Sequence, residues 1–199
     1  LDQAIKLDPQ NSYAWYLRGK SKLNLKQYQE AITDSDQAIK LDPKNSDAWV
    51  LRGDCKYELN QYQEAIIDLD QAIKLDPQNS ENWSWRGNCK YQLNQYQEAI
   101  TDSDQAIKLD PQNSDAWVLR GNCKYQLNQY QEAFENFDKA IKLDPQNSYA
   151  WDLRGFAYLN KEEYELAEKD FKKVYAIDKD EVNLNNNLGQ IFYKKRDYY

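Results

Sequence analysis

The sequence predicts an all-α protein made of stacked helix pairs, an α-solenoid. Three observations carry this reading. The tripeptide Leu-Asp-Pro occurs at Leu7–Pro9, Leu41–Pro43, Leu75–Pro77, Leu109–Pro111 and Leu143–Pro145, every step being 34 residues. Tryptophan keeps the same beat at Trp15, Trp49, Trp83, Trp117 and Trp151, glycine at Gly19, Gly53, Gly87, Gly121 and Gly155, and tyrosine at Tyr28, Tyr62, Tyr96, Tyr130 and Tyr164. Between these beats the apolar and small residues recur three and four places apart, the spacing of one helix face. A fixed period of this length marks a repeat architecture, in which one helix pair cannot bury its apolar face alone but stacked neighbours can.

Residues 1–11 read as the end of a second helix, so the chain starts in mid-helix. With no methionine at all, Leu1 is expected to be internal to a longer protein. The unit is clearest in the second copy. Its first helix is expected over about 46–59, with Ser46 as N-cap and Asp47 favouring the helix dipole. Trp49, Gly53 and Tyr57 share one face of it. Asn60-Gln61 supplies the turn. The second helix is expected over about 62–75, with Ala65, Leu69, Ala72 and Ile73 facing inward. Asp76-Pro77 ends it, because the residue before proline is pushed out of the helical region. Residues 39–65 and 107–133 differ at only three of 27 places, Lys44/Gln112, Asp54/Asn122 and Glu58/Gln126, so one local structure is being reused. At the far end Leu184, Leu188, Ile191 and Phe192 form one apolar face, a partial cap.

Composition bounds the chemistry. The net charge of −7, from 26 Lys+Arg against 33 Asp+Glu, argues against nucleic acid, whose binding is led by clustered cations. The chain has no histidine, which removes Ser-His-Asp and Cys-His nucleophile systems and His metal ligands. Mean hydropathy is −1.02, yet 41% of residues are apolar, too rich for disorder. The 19 Gln and 18 Asn lower the mean without removing core formers. No apolar run approaches the ~18 residues of a membrane span. Phosphate-cradling loops, nucleophile elbows and calcium loops are absent from the sequence, so no enzyme activity, cofactor or metal is expected.

The recurring polar residues divide into tracks. Arg18, Arg52, Arg86, Arg120 and Arg154 read as a structural ladder against Asp34, Asp68, Asp102 and Asp170, with Asn136 the exception. Lys22, Lys56, Lys90 and Lys124 read as a solvated face. Cys55, Cys89 and Cys123 stand 34 apart, too far for a disulfide or a shared metal, and read as small packing residues. Three unpaired thiols suit a reducing compartment, so a cytoplasmic, intracellular setting is expected.

The 34-residue period and the track Trp49, Gly53, Tyr62, Ala65, Ala72 and Pro77 resemble the tetratricopeptide repeat (TPR), over essentially the whole chain. The resemblance implies a right-handed superhelix of helix-turn-helix units. Full repeats fall at 12–45, 46–79, 80–113, 114–147 and 148–181, with a C-terminal half-repeat at 182–199. The place that the family fills with an aromatic holds Ser35, Leu69, Ser103, Phe137 and Phe171, so repeats one and three are expected to pack less tightly.

The resemblance further implies that first helices line a concave groove. On that expectation the groove residues are Tyr16 and Lys20, then Asp54 and Tyr57, then Trp85, Asn88, Tyr91 and Gln92, then Asn122, Tyr125 and Gln126, and finally Asp152 and Phe156. Amides can pair with both N–H and C=O of an extended peptide, and tyrosines add rigid contact area. The tyrosines equally suit covering the next repeat, and both readings stay open. Trp85 interrupts a leucine track and is a hot-spot candidate. The carboxylate clamp of the family's chaperone co-factors needs a lysine just after the Trp, and all five repeats lack it. Asp47, Glu81 and Asp115 at the groove edge favour a neutral or basic ligand. The expected function is a non-catalytic protein-interaction scaffold holding an extended peptide or helix. A docking or regulatory domain of a larger enzyme and an end-to-end self-associating element are the alternatives.

Overall fold

The computed structural model describes residues 1–178, so the expected half-repeat at 182–199 lies outside the described residues. All regular structure among them is α-helical, in two compact units. Unit 1, Leu1–Asp110, holds α1 (Asp2–Leu7), α2 (Ser12–Asn24), α3 (Tyr28–Leu41), α4 (Ser46–Glu58), α5 (Tyr62–Leu75), α6 (Ser80–Gln92) and α7 (Tyr96–Leu109). Unit 2 begins at Pro111 and holds α8 (Ser114–Gln126), α9 (Tyr130–Leu143), α10 (Ser148–Asn160) and α11 (Tyr164–Ile177).

Each first helix starts at a Ser but is capped by the Asn before it. Asn45 is extended, and its side chain accepts from the Ala48 N–H at 3.3 Å. The expected Ser46 cap is therefore corrected to Asn45, with Asn11, Asn79, Asn113 and Asn147 acting alike. Both residue types can cap; the tight Asp-Pro turn delivers the extended residue one place earlier. That turn is closed by the Asp42 side chain, which accepts from Lys44 N–H, and by Trp49, whose indole donates to Pro43 C=O at 3.1 Å. Every track tryptophan makes the equivalent bond. Each second helix ends on an aspartate that leaves the helical conformation, at Asp42, Asp76, Asp110, Asp144 and Asp178.

The core is built between second helix and following first helix. In unit 1, Ala31 and Ile32 of α3 meet Leu51 and Cys55 of α4 beneath Tyr16 and Leu23. One layer on, Ala65, Ile66 and Leu69 of α5 meet Cys89 of α6 beneath Tyr57 and Trp85. In unit 2, Ala133, Phe134 and Phe137 of α9 meet Ala157 of α10 beneath Tyr125. Cys55, Cys89 and Cys123 are free and fully buried, as packing residues.

The track glycine is there because the helices close on it. A Cβ on Gly121 would stand 2.7 Å from the Phe137 ring. In repeat one, where Ser35 replaces the aromatic, Leu51 of the next repeat reaches in and its Cδ2 would lie 3.0 Å from a Cβ on Gly19. Ser35 itself is buried, and its hydroxyl donates to Ala31 C=O. The looser packing expected of repeat one is thus filled by its neighbour.

Candidate functional site

The buried charges come first, because they decide which polar groups are spoken for. In unit 1 the Arg52 guanidinium donates twice to Asp68, at 2.9 and 2.6 Å, and Lys56 Nζ reaches the same carboxylate at 2.7 Å. Asp68 is 1% exposed, so its charge is fully compensated by two cations. The remaining Arg52 nitrogen pairs with Asp36 of the preceding repeat, and the guanidinium carbon lies 4.8 Å from the Trp49 ring centroid. Arg18 holds Asp34 and Asp2, and Arg86 holds Asp102 and Asp70, in the same manner. In unit 2, Arg154 bridges Asp170 and Asp138, while Arg120 donates to Asn136 at 2.7 Å. The arginine ladder is structural, as its spacing predicted.

The lysine track differs from expectation. Lys22 and Lys90 join Lys56 in salt bridges to the buried aspartates, with side chains about a fifth exposed. Lys124 pairs with Glu132 instead, where Asn136 has replaced the aspartate. Lys22, Lys56 and Lys90 thus belong to a buried network rather than to a solvated face. The physical reason is that an Arg fork takes one lone pair on each carboxylate oxygen and leaves one on each unmet, and the lysine four residues on reaches the Oδ2 side. At Asp34, burial would raise the carboxyl, but hydrogen bonds from Arg18 and Lys22 outweigh it and hold it below the usual carboxylate range.

The predicted groove residues of unit 1 lie on α2, α4 and α6. Lys20 is exposed, 6.0 Å from the Tyr16 ring, and Tyr16 packs against the α3–α4 core. Tyr57 meets Trp85 edge to face at 5.9 Å, and its hydroxyl accepts from Gln92 Nε2 at 3.1 Å. Trp85 is half-buried against Ala65, Ile66 and Leu69, so part of its surface serves the core. Tyr91 packs on Tyr96. Asn88 is half-buried with no hydrogen bond to a described residue, and Asp54 likewise has neither hydrogen bond nor salt bridge. Burial, and then Glu58 one turn on, push the Asp54 carboxyl up to about 6. Glu58, which stands where Gln92 and Gln126 stand in the next two repeats, accepts from the Tyr28 hydroxyl at 3.1 Å.

In unit 2 the expected residues divide. Asn122 is 7% exposed, which withdraws most of it from any ligand. Tyr125 accepts from Asn160, Gln126 is exposed, Asp152 is half-buried, and Phe156 packs edge to face on Phe171 inside the α10–α11 core. Among the described residues no group of His, Cys, Asp or Glu could hold a metal ion, and no helix is long and apolar enough to cross a membrane.

Tetratricopeptide-repeat models match residues 16–80, 121–162 and 148–181. The chain is a tetratricopeptide-repeat protein. A further model, of anaphase-promoting complex, cyclosome, subunit 3, matches residues 69–140 of this TPR chain. No curated protein sequence matches the chain. Solved structures with the TPR fold are similar. MamA is 25% identical over 81% of this chain and 94% of its own, with a TM-score of 0.67. YrrB, described as a TPR protein with an unusual peptide-binding site, is 20% identical over 98% of this chain and 97% of its own, with a TM-score of 0.68. A thermophilic TPR protein from Thermus thermophilus, TTC0263, is 14% identical over 91% of this chain and 99% of its own, with a TM-score of 0.80. These likenesses establish the TPR solenoid fold.

Proposed function

We propose that this TPR chain is a non-catalytic scaffold, its five units from 12–45 to 148–181 serving as a binding module for an extended segment of a partner protein. The observation that carries the reading is the face of α4 and α6 in unit 1. There Tyr57 and Trp85 form an aromatic floor, while Asp54 and Asn88 are half-buried polar groups that no described residue satisfies. Their polar atoms still reach solvent, and an extended backbone, which offers both donors and acceptors, can take the place of that water. The peptide-binding site named for YrrB lends the same fold to the same use.

The test is selection of binders from a random 12-residue peptide library displayed on phage, followed by titration of synthetic binders. Trp85→Leu is the informative variant, because Leu17, Leu51, Leu119 and Leu153 occupy the same place in the other repeats and the fold accepts them. Binders are expected to lose about tenfold in affinity on that variant, on the scale of one aromatic hot spot. Binders unaffected by Trp85→Leu would place recognition elsewhere.

A further inference from the structure

Resting on that reading, we infer that the α4–α6 face selects a partner segment carrying a lysine or arginine, whose cationic head seats between Asp54 and Glu58 beside the Tyr57–Trp85 aromatic pair. The repeats are not equivalent at this place. Repeats two and four agree at 24 of 27 places over 39–65 and 107–133, and two of the three differences are Asp54/Asn122 and Glu58/Gln126. Repeat three has Asn88 and Gln92 there. Repeat two alone has turned both amides into acids.

The structure gives Asp54 no hydrogen bond and no ion pair, while Glu58 accepts only from the Tyr28 hydroxyl among the described residues and meets no cation. The deeply buried track aspartates of unit 1 are each met by an arginine and a lysine. Asp54 is half-buried and has no cation. The charge that acts on it is Glu58, of its own sign, and burial adds to the penalty. From the packed helices, Tyr28 of α3 gives its hydroxyl to Glu58, and the buried Cys89 of α6 feels the Asp54 charge. The cation on the equivalent place of the preceding repeat, Lys20, lies over Tyr16 and pairs with neither acid. Two like charges one helical turn apart repel, and a ligand cation would remove that repulsion.

The aromatic pair makes the site suit a basic side chain rather than a metal ion. Asp54, Tyr57 and Glu58 fall three and four places apart on α4 and so share a face. Trp85 lies edge to face on Tyr57 from α6. The aliphatic stem of Lys or Arg packs on rings while its head meets carboxylates. Asn88, without a partner, is left for the backbone of the same segment.

The experiment uses the phage-selected 12-residue peptides. Binders of the unaltered protein are expected to share one Lys or Arg, and replacing it by glutamine in a synthetic binder should weaken binding at least tenfold. The paired variant is Asp54→Asn with Glu58→Gln, which recreates repeat four at these places and therefore folds. On it the same glutamine replacement should cost less than twofold. A reverse variant, Asn88→Asp, should strengthen basic binders. Binders lacking any basic preference, or a glutamine penalty unchanged in the paired variant, would overturn the basic-residue inference while leaving peptide binding intact. No binders at all would overturn both.

Discussion

A carboxylate that receives an arginine fork and a lysine is stable only while all three charges are present. Removing one partner from a buried ion pair leaves the others uncompensated. Asp68→Ala is therefore expected to lower stability by about 3 kcal/mol in urea titration, whereas Asp68→Asn should cost less, since Asn136 already serves Arg120 in repeat four. Asp54 has the opposite character. Its raised carboxyl makes the folded state bind the proton more tightly than the unfolded chain, so stability falls as pH rises from about 4 to about 6. Asp34, held low by its partners, contributes stability that is lost as pH falls below the usual carboxylate range. Asp54→Asn should flatten the first of these slopes and add on the order of 1 kcal/mol at pH 7 once solvent screening is allowed for. Thermal unfolding from about pH 2 to about pH 8 reads both; an Asp54→Asn variant that parallels the parent between pH 4 and pH 6 would refute the assignment to Asp54. The arginine–aspartate pairing was legible because both tracks keep step, 16 residues apart. The lysines were misread because their reach across to the second helix is set by packing, not by spacing. The isolation of Asp54 was invisible for a similar reason, since the lack of a cation nearby is a fact of three dimensions.

The helices themselves were legible to within a residue or two, because Pro, Gly and Trp punctuate every unit. What the pattern did not settle was which of two competent residues caps, Asn45 or Ser46. The turn between paired helices places Lys26, Asn60, Asn94, Asn128 and Glu162 at φ near 60°. Asparagine tolerates this left-handed conformation, and lysine and glutamate do so less well. Lys26→Asn is expected to raise stability by about 1 kcal/mol, measured as a shift in urea midpoint at constant m-value. The helix-closing glycines give a second contrast. Gly121→Ala drives a methyl into the Phe137 ring and should cost about 2 kcal/mol. Gly19→Ala meets the flexible end of Leu51 at 3.0 Å, with Ala31 C=O and Asp34 Cβ no closer than 3.3 Å, and helix propensity offsets the crowding by roughly 1 kcal/mol. Equal penalties at the two sites would show that the ring is not the obstacle. Combining Gly121→Ala with Phe137→Ser, the residue of repeats one and three, should restore much of the loss beyond additivity.

At the scale of the molecule, the three thiols serve as internal clocks. Burial pushes Cys55, Cys89 and Cys123 up to about 12 and leaves them fully inaccessible. A thiol reagent at pH 8 should label none of them rapidly in the native protein and all three in urea. Site-resolved labelling by mass spectrometry then times the opening of unit 1 through Cys55 and Cys89, and of unit 2 through Cys123. Fast labelling of any one in the native state would contradict its burial. The bridges from Arg52 and Arg86 back to the preceding repeat have a wider meaning. Arg52 faces Asp36, and Arg86 faces Asp70, with the same reach. Excising residues 46–79 would bring Arg86 opposite Asp36 and recreate the junction that was lost. A gene built this way can drop or copy a whole unit by misaligned recombination and still encode a protein whose seams match. Its length is free to drift in steps of one repeat, while any other step would tear the charge register and be removed by selection.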